Sequence, residues 1–242
     1  MLKKHIKKLN FLHIKKYSIL SQLQLEEALL HNDQQNWCII NEGTPPAIVL
    51  GKTSCEKKLI NKEYFQKYPI DLIRRFSGGG VVVVDKNTVF VTFIFEKNFL
   101  PISFFPEAIF QWTQDFYKKV FSKIAFQLEE QDYTIKKKKC GGNAQYIKKK
   151  RALHHTSFLW DFKKDNMKYL SLPTKTPKYR NKRSHEDFLC SLKNHMDSKI
   201  VFTKNIKKVL KKNFVLKEKK ICDISNVLKK SHRKSTTLIS II

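Results

Sequence analysis

Two short glycine-containing runs carry the residues of this chain best suited to chemistry. They read Arg74-Arg75-Phe76-Ser77-Gly78-Gly79-Gly80 and Lys139-Cys140-Gly141-Gly142-Asn143-Ala144, and together they hold five of the seven glycines. Glycine permits unusual backbone dihedral angles and the close approach of a ligand to the backbone. Backbone N–H groups beside guanidinium groups suit a phosphate or a carboxylate. The pattern therefore predicts an anion-binding site.

Catalytic signatures of several other classes do not fit the sequence. Gly51-Lys52-Thr53 imitates the end of a phosphate-binding P-loop, but Pro46 stands where that loop needs its first glycine. His185-Glu186 lacks the second histidine of a zinc protease pair, and the five scattered cysteines include no C-x-x-C pair. Outside the glycine runs, the adjacent histidines His154 and His155 are the remaining candidates.

The elements predicted around these runs form an α/β domain. Residues 81–84 and 89–95 are apolar on both sides of a polar turn at residues 85–88, which predicts a hairpin of two buried strands. Residues 133–160 predict a second strand-turn-strand unit, which carries the second glycine run. The first glycine run is therefore expected to lead directly into a core strand.

Further elements follow from apolar spacing and from turn residues. Ser21 is expected to cap a helix with its apolar side at residues 23–30, and residues 37–40 and 47–50 predict a pair of strands. The other predicted elements are helices at residues 57–68, 106–123 and 202–214, a loop marked by Pro173 and Pro177, and a tail at residues 229–242.

The chain is strongly basic. Its 242 residues carry 48 Lys and Arg against 21 Asp and Glu, a formal net charge of +27, and the lysines are spread over nearly the whole length. Such diffuse charge is typical of a solvated surface, or of a field that steers an acidic macromolecular partner to its site. A basic nucleic-acid-binding module is an alternative of another class, which predicts salt-sensitive affinity for RNA or DNA.

The apolar segments are short. No stretch approaches the roughly 18 uninterrupted apolar residues of a membrane-spanning helix. Residues 1–16 are broken by lysines and lack the apolar core of a signal peptide. A soluble, cytoplasmic protein without a membrane partner is therefore expected.

Three separated blocks of the sequence resemble the signature of the lipoate-protein ligase family. That signature is usually written R-R-x-S-G-G-G with a D-x-G-N turn, then K-x-S-G-x-A, then H-H-G-T. The matching residues are the first glycine run with Asp85 and Asn87, then Lys139 with Gly142-Asn143-Ala144, then His154-His155-Thr156. The blocks occur in the family's order within residues 20–192, which makes the resemblance specific.

The resemblance implies a fold and a reaction. The fold is α/β (α+β), with a mixed, largely antiparallel sheet flanked by helices, shared by biotin and lipoate ligases and class II aminoacyl-tRNA synthetases. ATP with Mg²⁺ activates lipoate or octanoate as an acyl-adenylate. A lysine of an apo lipoyl domain, from a 2-oxoacid dehydrogenase E2 subunit or the glycine-cleavage H protein, then takes the acyl group as an amide.

The resemblance also implies a domain organisation. Residues 1–200 are expected to form the catalytic domain, and residues 201–242 a basic helix and tail in place of a full accessory domain. A separate accessory-domain protein is therefore an expected partner.

The family's functional positions fall on named residues of this chain. Lys139 is expected to be catalytic, since a fixed cation beside both a carboxylate and an α-phosphate offsets their repulsion and stabilises the charge of adenylation. Asp85 and Asn87 are expected to close a turn and reach magnesium or ribose. The expected substrate- and nucleotide-binding residues are Arg75, Ser77, Gly78, Gly79, Gly80, Val81, Val82, Val83, Val84, Asp85, Asn87, Gly142, Asn143, Ala144, His154 and His155.

Two features of the sequence leave an alternative within the same fold. The turn Asp85-Lys86-Asn87 is one residue shorter than the family's pattern and lacks its glycine, and Cys140 lies next to Lys139. An octanoyl or lipoyl transferase without adenylation would carry its acyl group as a cysteine thioester, and a nearby cation lowers the pKa of a thiol. Adjacent side chains of a strand point to opposite faces, however, which disfavours Cys140 as a partner of Lys139 and predicts that at most one of His154 and His155 faces the site.

Overall fold

The computed structural model describes residues 7–171, 176–181 and 183–240. In this part of the chain the helices are α1 Ile19–Asn32, α2 Glu56–Leu59, α3 Lys62–Lys67, α4 Pro106–Val120, α5 His185–Phe188, α6 Lys199–Lys211 and α7 Ser225–Lys229. The strands are β1 Lys7–Lys15, β2 Trp37–Glu42, β3 Ala47–Leu50, β4 Asp71–Arg74, β5 Val81–Val84, β6 Thr88–Glu96, β7 Phe126–Glu129, β8 Asp132–Ile135, β9 Lys138–Ile147, β10 Arg151–Leu159, β11 Phe214–Lys219 and β12 Thr237–Leu238.

The larger sheet has eight strands in the order β11-β1-β2-β6-β10-β9-β8-β7. β1 runs parallel to β11 and to β2, and the other neighbours are antiparallel. The expected mixed, largely antiparallel sheet flanked by helices is therefore confirmed. The predicted strand-turn-strand unit of residues 133–160 is also present, as β8, β9 and β10.

The smaller sheet has the order β12-β4-β3-β5 and corrects the predicted hairpin. β5 pairs with β3, whereas β6 lies between β2 and β10 in the larger sheet. The hairpin prediction is wrong because β5 and β6 do not pair: the turn between them connects the smaller sheet to the larger one. Asp85 stabilises this turn: its carboxylate accepts a hydrogen bond from the Asn87 N–H at 2.7 Å, and its N–H donates to the Thr88 hydroxyl at 3.1 Å. Continuous apolarity suits β6, which lies inside the larger sheet and is buried from Thr88 to Phe95. β5 is the edge strand of the smaller sheet, where Val81 and Val82 are half-buried and Val83 and Val84 are buried.

Several element boundaries also differ from the predictions. The two strands predicted at residues 37–40 and 47–50 exist as β2 and β3, but they belong to different sheets. Ser21 lies inside α1 rather than at its cap, because the helix already begins at Ile19. The helix predicted at residues 57–68 is divided into α2 and α3, since Ile60 forms a β-bridge with Leu170.

The C-terminal part, residues 201–242, contains more secondary structure than the predicted helix and tail. Phe214 begins β11, which completes the parallel edge of the larger sheet, and Thr237–Leu238 pairs with β4 in the smaller one. The buried Glu27 carboxylate accepts hydrogen bonds from the N–H groups of Ser235 and Thr236 at 2.8 and 3.0 Å. Residues beyond 200 therefore contribute to both sheets. Pro173, one marker of the predicted loop, lies outside the described residues.

Helices cover the larger sheet on both faces. α4 and α6 pack together on one face over an aromatic core that includes Phe93, Phe116 and Phe158. α1 lies on the other face, where Leu23 packs with residues of the smaller sheet such as Val49. Among the described residues, none of the helices has the length and apolarity needed to cross a bilayer. This arrangement leaves the loop between β4 and β5 facing strands β9 and β10.

The turn between β8 and β9 gives a test of local strain. Lys136 and Lys137 have φ values of 49° and 59°, the left-handed region in which Asn-Gly is favoured for a two-residue hairpin loop. The double substitution Lys136→Asn, Lys137→Gly is expected to raise the free energy of unfolding by about 1 kcal/mol, measured by urea denaturation. Lys138→Gly, one residue further and inside β9, should lower it, and an equal effect of both changes would contradict the argument.

Candidate active site

The two glycine runs meet at a cavity of about 730 Å³. Gly79 has φ +96°, and a Cβ added to it would lie 3.8 Å from the Ala144 Cβ of β9 and 2.7 Å from the Arg75 guanidinium. Glycine is required at this position for two reasons. The left-handed backbone disfavours a side chain, and the Arg75 guanidinium occupies the space that a Cβ would need. The cavity lies between the smaller sheet and the β9–β10 hairpin.

The first glycine run is held in place by the turn at Gly51 and Lys52. The Gly51 N–H donates to the Gly80 carbonyl, and the Lys52 N–H to the Ser77 carbonyl, both at 2.9 Å. A Cβ on Gly51 would lie 1.9 Å from the Gly79 carbonyl oxygen. Gly51 therefore serves close backbone packing under the loop rather than phosphate binding in a P-loop.

Arg75 is a buried cation at the edge of the cavity. Its guanidinium donates to the Gly78 carbonyl at 2.7 Å through Nη2 and 3.1 Å through Nε, and to the Val49 carbonyl at 3.4 Å through Nη1. No acidic side chain of the described residues forms an ion pair with it. Burial lowers the pKa of Arg75 to about 10, so the side chain stays charged at neutral pH. A buried cation held only by carbonyl groups favours an anion beside it.

Lys139 enters the same cavity because β9 contains a β-bulge. Tyr133 lies opposite Gly141 and Thr134 opposite Lys139, so Cys140 is the extra residue of the ladder. Without the bulge, Lys139 and Gly142 would point to opposite faces, because they are three residues apart. With it, both line the cavity.

The Lys139 ammonium group is oriented by its neighbours. Nζ lies 2.8 Å from Asp132 Oδ1, and the Tyr179 hydroxyl donates to Asp132 Oδ2 at 2.9 Å. A Cβ on Gly142 would come within 3.4 Å of Nζ, so the glycine leaves room for the lysine side chain. The amine is partly exposed, and its carboxylate partner is close enough to hold it without burying the charge.

His155 links the glycine loop to α1. Its Nδ1 lies 2.9 Å from Glu26 Oε2, and its Nε2 lies 3.1 Å from the Ser77 hydroxyl. Glu26 is fully buried, and its second oxygen accepts hydrogen bonds from Thr92 at 2.6 Å and Gln22 at 2.7 Å. The sequence contained a signal for this network, the adjacent glutamates Glu26 and Glu27 between leucines of α1, but not the connection of Glu26 to the histidine.

His154 points to the opposite face, as the alternation of a strand predicts. It is fully buried against Phe110, and its ring nitrogens lie 3.3 Å from the Tyr133 hydroxyl and 3.1 Å from Gln145. Burial, with a smaller effect of the neighbouring His155, lowers the pKa of His154 to about 3. The His154 side chain therefore belongs to the core under α4 rather than to the cavity.

Comparison with known proteins decides the family. Residues 18–215 match the model of the lipoyl protein ligase A/B catalytic domain. The chain belongs to this family. It is 30% identical to the Inactive lipoate-protein ligase 2 of Plasmodium falciparum (isolate 3D7), over 78% of this chain and 65% of that protein. The chain thus spans less than two thirds of the length of that relative.

Two solved structures of lipoate-protein ligases share the fold. One is a bi-partite lipoate protein ligase from Thermoplasma acidophilum, studied with its E2 lipoyl domain (TM-score 0.75, 16% identity, 92% of this chain and 91% of that one). The other is lipoate-protein ligase A bound with ATP (TM-score 0.74, 14% identity, 91% of this chain and 92% of that one). At these identities the likeness concerns the fold.

The family's expected site residues divide into two groups in this chain. Those that line the cavity are Arg75, Gly79, Gly80, Val81, Val82, Val83, Val84, Lys139, Gly142, Asn143, Ala144 and His155. Those that do not are Ser77, Gly78, Asp85, Asn87 and His154. Ser77 still contacts the cavity indirectly, through its hydrogen bond to His155.

Asp85 is occupied within the protein, although the family resemblance predicts a magnesium or ribose contact there. Its Oδ1 accepts from the Asn87 N–H at 2.7 Å and its Oδ2 from the Asn166 amide at 2.9 Å. Over residues 7–171, 176–181 and 183–240, no group of three or more His, Cys, Asp or Glu side chains is arranged to hold a metal. Both carboxylate oxygens of Asp85 thus already accept hydrogen bonds within the protein.

The ligase-family motifs do not include part of the cavity lining. Some of the lining residues beyond the motifs come from α1, from the β7–β8 turn and from the segment after residue 175, and they include Leu23, Asp132, Pro177, Arg180, Phe188 and Leu189. The Arg180 guanidinium stacks over the Phe188 ring at 4.9 Å. Only the tertiary fold brings this later segment beside Lys139.

Burial of His154 predicts a pH dependence of stability. Because its pKa is about 3 in the folded protein against 6.5 when unperturbed, the unfolded chain binds the extra proton in acid. The stability is fully present above pH 6.5 and is lost progressively as the pH falls toward 3. Between pH 6.5 and 5 the free energy of unfolding should fall by about 2 kcal/mol from this group. Urea denaturation of His154→Gln should show a correspondingly shallower pH dependence, and an unchanged slope would contradict the assignment.

Proposed function

We propose that the cavity binds lipoate or octanoate together with ATP, forms the acyl-adenylate and passes the acyl group to a lysine of an apo lipoyl domain. The observation that carries the proposal is the convergence of two cations, Arg75 and Lys139, on a cavity that the apolar strand Val81–Val84 also lines. This is the combination that a fatty carboxylate and a nucleotide phosphate require.

The acyl chain has an apolar surface to occupy. Val81–Val84 lines the cavity together with Leu23, Val49 and Phe90. The volume of about 730 Å³ lies within the usual range of small-molecule sites, about 300–1,000 Å³. Burying a chain of CH₂ groups there contributes about 0.8 kcal/mol for each.

The cations act on the charges of the reaction. A carboxylate oxygen of lipoate attacks the α-phosphorus of ATP, and pyrophosphate leaves. Lys139 and Arg75 offset the repulsion between the two anions, and Lys139 stabilises the charge that develops at phosphorus. The ion pair with Asp132 keeps Lys139 in position before the nucleotide arrives. In the second step the amine of the acceptor lysine attacks the acyl carbon, and AMP leaves.

Gly80 tests whether a ligand approaches the glycine loop. A Cβ on Gly80 would meet nothing within 4 Å and would enter the space beside the cavity. Gly80→Ala is expected to keep the free energy of unfolding but to weaken lipoate binding by about tenfold or more, because one extra carbon in a closely fitting pocket costs about 1–3 kcal/mol. Titration calorimetry measures the lipoate affinity of the parent protein, of Gly80→Ala and of the control Gly78→Ala. Gly78 is the control because it does not line the cavity. Equal affinities of all three proteins would show that the ligand lies elsewhere.

The acceptor is proposed to be a lipoyl domain of an E2 subunit or a glycine-cleavage H protein. The T. acidophilum ligase that shares the fold was studied with its E2 lipoyl domain, which supports the first of these. A net charge of +27 favours rapid association with an acidic acceptor, at a rate that salt lowers. The proposed catalytic domain, residues 1–200, is then completed by β11 and β12 of the basic C-terminal part.

A second candidate is transfer without autonomous adenylation. Three observations favour it: the relative of 30% identity is named inactive, the T. acidophilum enzyme is bi-partite, and Asp85 is engaged by Asn87 and Asn166. The chain would then use a preformed acyl-adenylate or need a separate accessory-domain protein. A thioester at Cys140 is not supported, because that thiol is fully buried and burial raises its pKa.

One experiment separates these candidates. The protein is incubated with an apo lipoyl domain and either lipoate, ATP and magnesium or preformed lipoyl-adenylate, and the acceptor mass is measured. A mass increase in the first mixture supports autonomous ligation. An increase only with lipoyl-adenylate, or only after a candidate accessory protein is added, supports the second candidate. No increase in any mixture would overturn both.

A further inference from the structure

Two cysteines lie side by side next to Lys139. Leu189 forms a parallel β-bridge with Lys139, and the Cys190 N–H donates to the Lys139 carbonyl at 2.9 Å. Cys140 and Cys190 directly follow the two bridged residues, and their thiols lie within hydrogen-bond reach of each other. Backbones joined by a β-bridge lie about 4.8 Å apart, within the Cα separation of about 4.4–6.8 Å that a disulfide needs.

The surroundings of the two thiols differ. Cys140 is fully buried and Cys190 is partly exposed, and both are free. Their Sγ atoms lie 3.4 Å from the Tyr133 carbonyl and 3.5 Å from the Lys138 carbonyl, respectively. Burial raises the pKa of Cys140, while a hydrogen bond from the Cys140 thiol lowers the pKa of Cys190. Solvent can therefore reach the Cys190 thiol, whereas the neighbouring Cys140 thiol is shielded from solvent.

We propose that Cys140 and Cys190 form a redox modification site, in which hydrogen peroxide converts the two thiols into a disulfide that thiol reductants reverse. The Cys190 thiolate attacks one peroxide oxygen and breaks the O–O bond, and the departing hydroxide takes up a proton to become water. The Cys140 sulfur then attacks the sulfenic sulfur of Cys190, forms the S–S bond and releases a second water. Two thiols and one peroxide yield one disulfide and two waters.

The disulfide would affect the cavity through the residues next to Cys190. Phe188 and Leu189 line the cavity beside Lys139, and they directly precede Cys190. A covalent link fixes their distance from β9, so the oxidised form is expected to exchange a bound ligand more slowly. This consequence rests on the proposed function, whereas formation of the disulfide does not.

Peptide mapping tests the site. The reduced full-length protein is treated with equimolar hydrogen peroxide, free thiols are blocked with N-ethylmaleimide, and tryptic peptides are identified by mass. The expected main product joins the peptides of Cys140 and Cys190 and disappears after dithiothreitol. The matched variant Cys55→Ser, Cys222→Ser lacks both exposed cysteines and should give the same product, whereas Cys190→Ser should give none.

Two results would overturn the proposal: oxygen addition at Cys190 without the cross-link, or cross-links to Cys55 or Cys222 in place of the pair. Lipoate release is then followed by stopped flow in the oxidised and reduced forms. If the cross-link forms but neither form binds lipoate, the redox site stands and the proposed function fails.

Discussion

Replacing Lys139 with alanine is expected to lower the rate of lipoyl-adenylate formation by about 10²- to 10³-fold, the usual cost of removing one preorganised charge that stabilises a transition state. The fold should tolerate the change, because the ion pair with Asp132 is partly exposed and such pairs contribute about 0–1 kcal/mol. Pyrophosphate release from ATP and lipoate measures the reaction. If the chain performs transfer only, the same substitution is assayed with preformed lipoyl-adenylate.

Lys138→Ala is the matched control. Lys138 is the neighbouring lysine of the same run and is exposed outside the cavity. Its replacement removes an equal charge from the surface, so it should leave the rate within about twofold. Equal losses in the two variants would mean that the general positive field matters and that Lys139 has no specific role.

Gly51→Ala is expected to lower both the free energy of unfolding and the affinity for lipoate. The new Cβ would lie 1.9 Å from the Gly79 carbonyl oxygen and 2.8 Å from its carbon. Because these are backbone atoms, the glycine loop must move, at a cost of about 1–3 kcal/mol in the free energy of unfolding. Movement of the loop also displaces the Gly78 carbonyl that holds the Arg75 guanidinium. Urea denaturation and lipoate titration measure the two effects.

Gly78→Ala controls for the loss of a glycine as such. A Cβ at Gly78 meets nothing within 4 Å, and its φ lies outside the left-handed region. Its free energy of unfolding should stay within about 0.5 kcal/mol of the parent protein. A Gly51→Ala protein with unchanged stability would show that the loop has room to shift, and the supporting role of Gly51 would then be wrong.

Local sequence determined much of the fold. Runs of Val, Ile and Phe predicted the strands β2, β3, β5 and β6, and the spacing of apolar residues predicted α4. The pairing of strands was not predictable in the same way. A polar turn at residues 85–88 fits both a hairpin and a connection between two sheets. Only the pairing of β5 with β3 and of β6 with β10 decides that the two strands enter different sheets.

The candidate site divides along the same line. The sequence by itself determined which groups are available, namely the two glycine runs, Arg75, Lys139 and the adjacent histidines, and strand alternation was enough to place one histidine on each face. Tertiary structure alone decided that a bulge at Cys140 turns Lys139 into the cavity and that Glu26 meets His155, 129 residues away. The physical reason is that residue types and local periodicity are properties of neighbouring residues, whereas register, bulges and buried polar partners arise only when distant segments pack against each other.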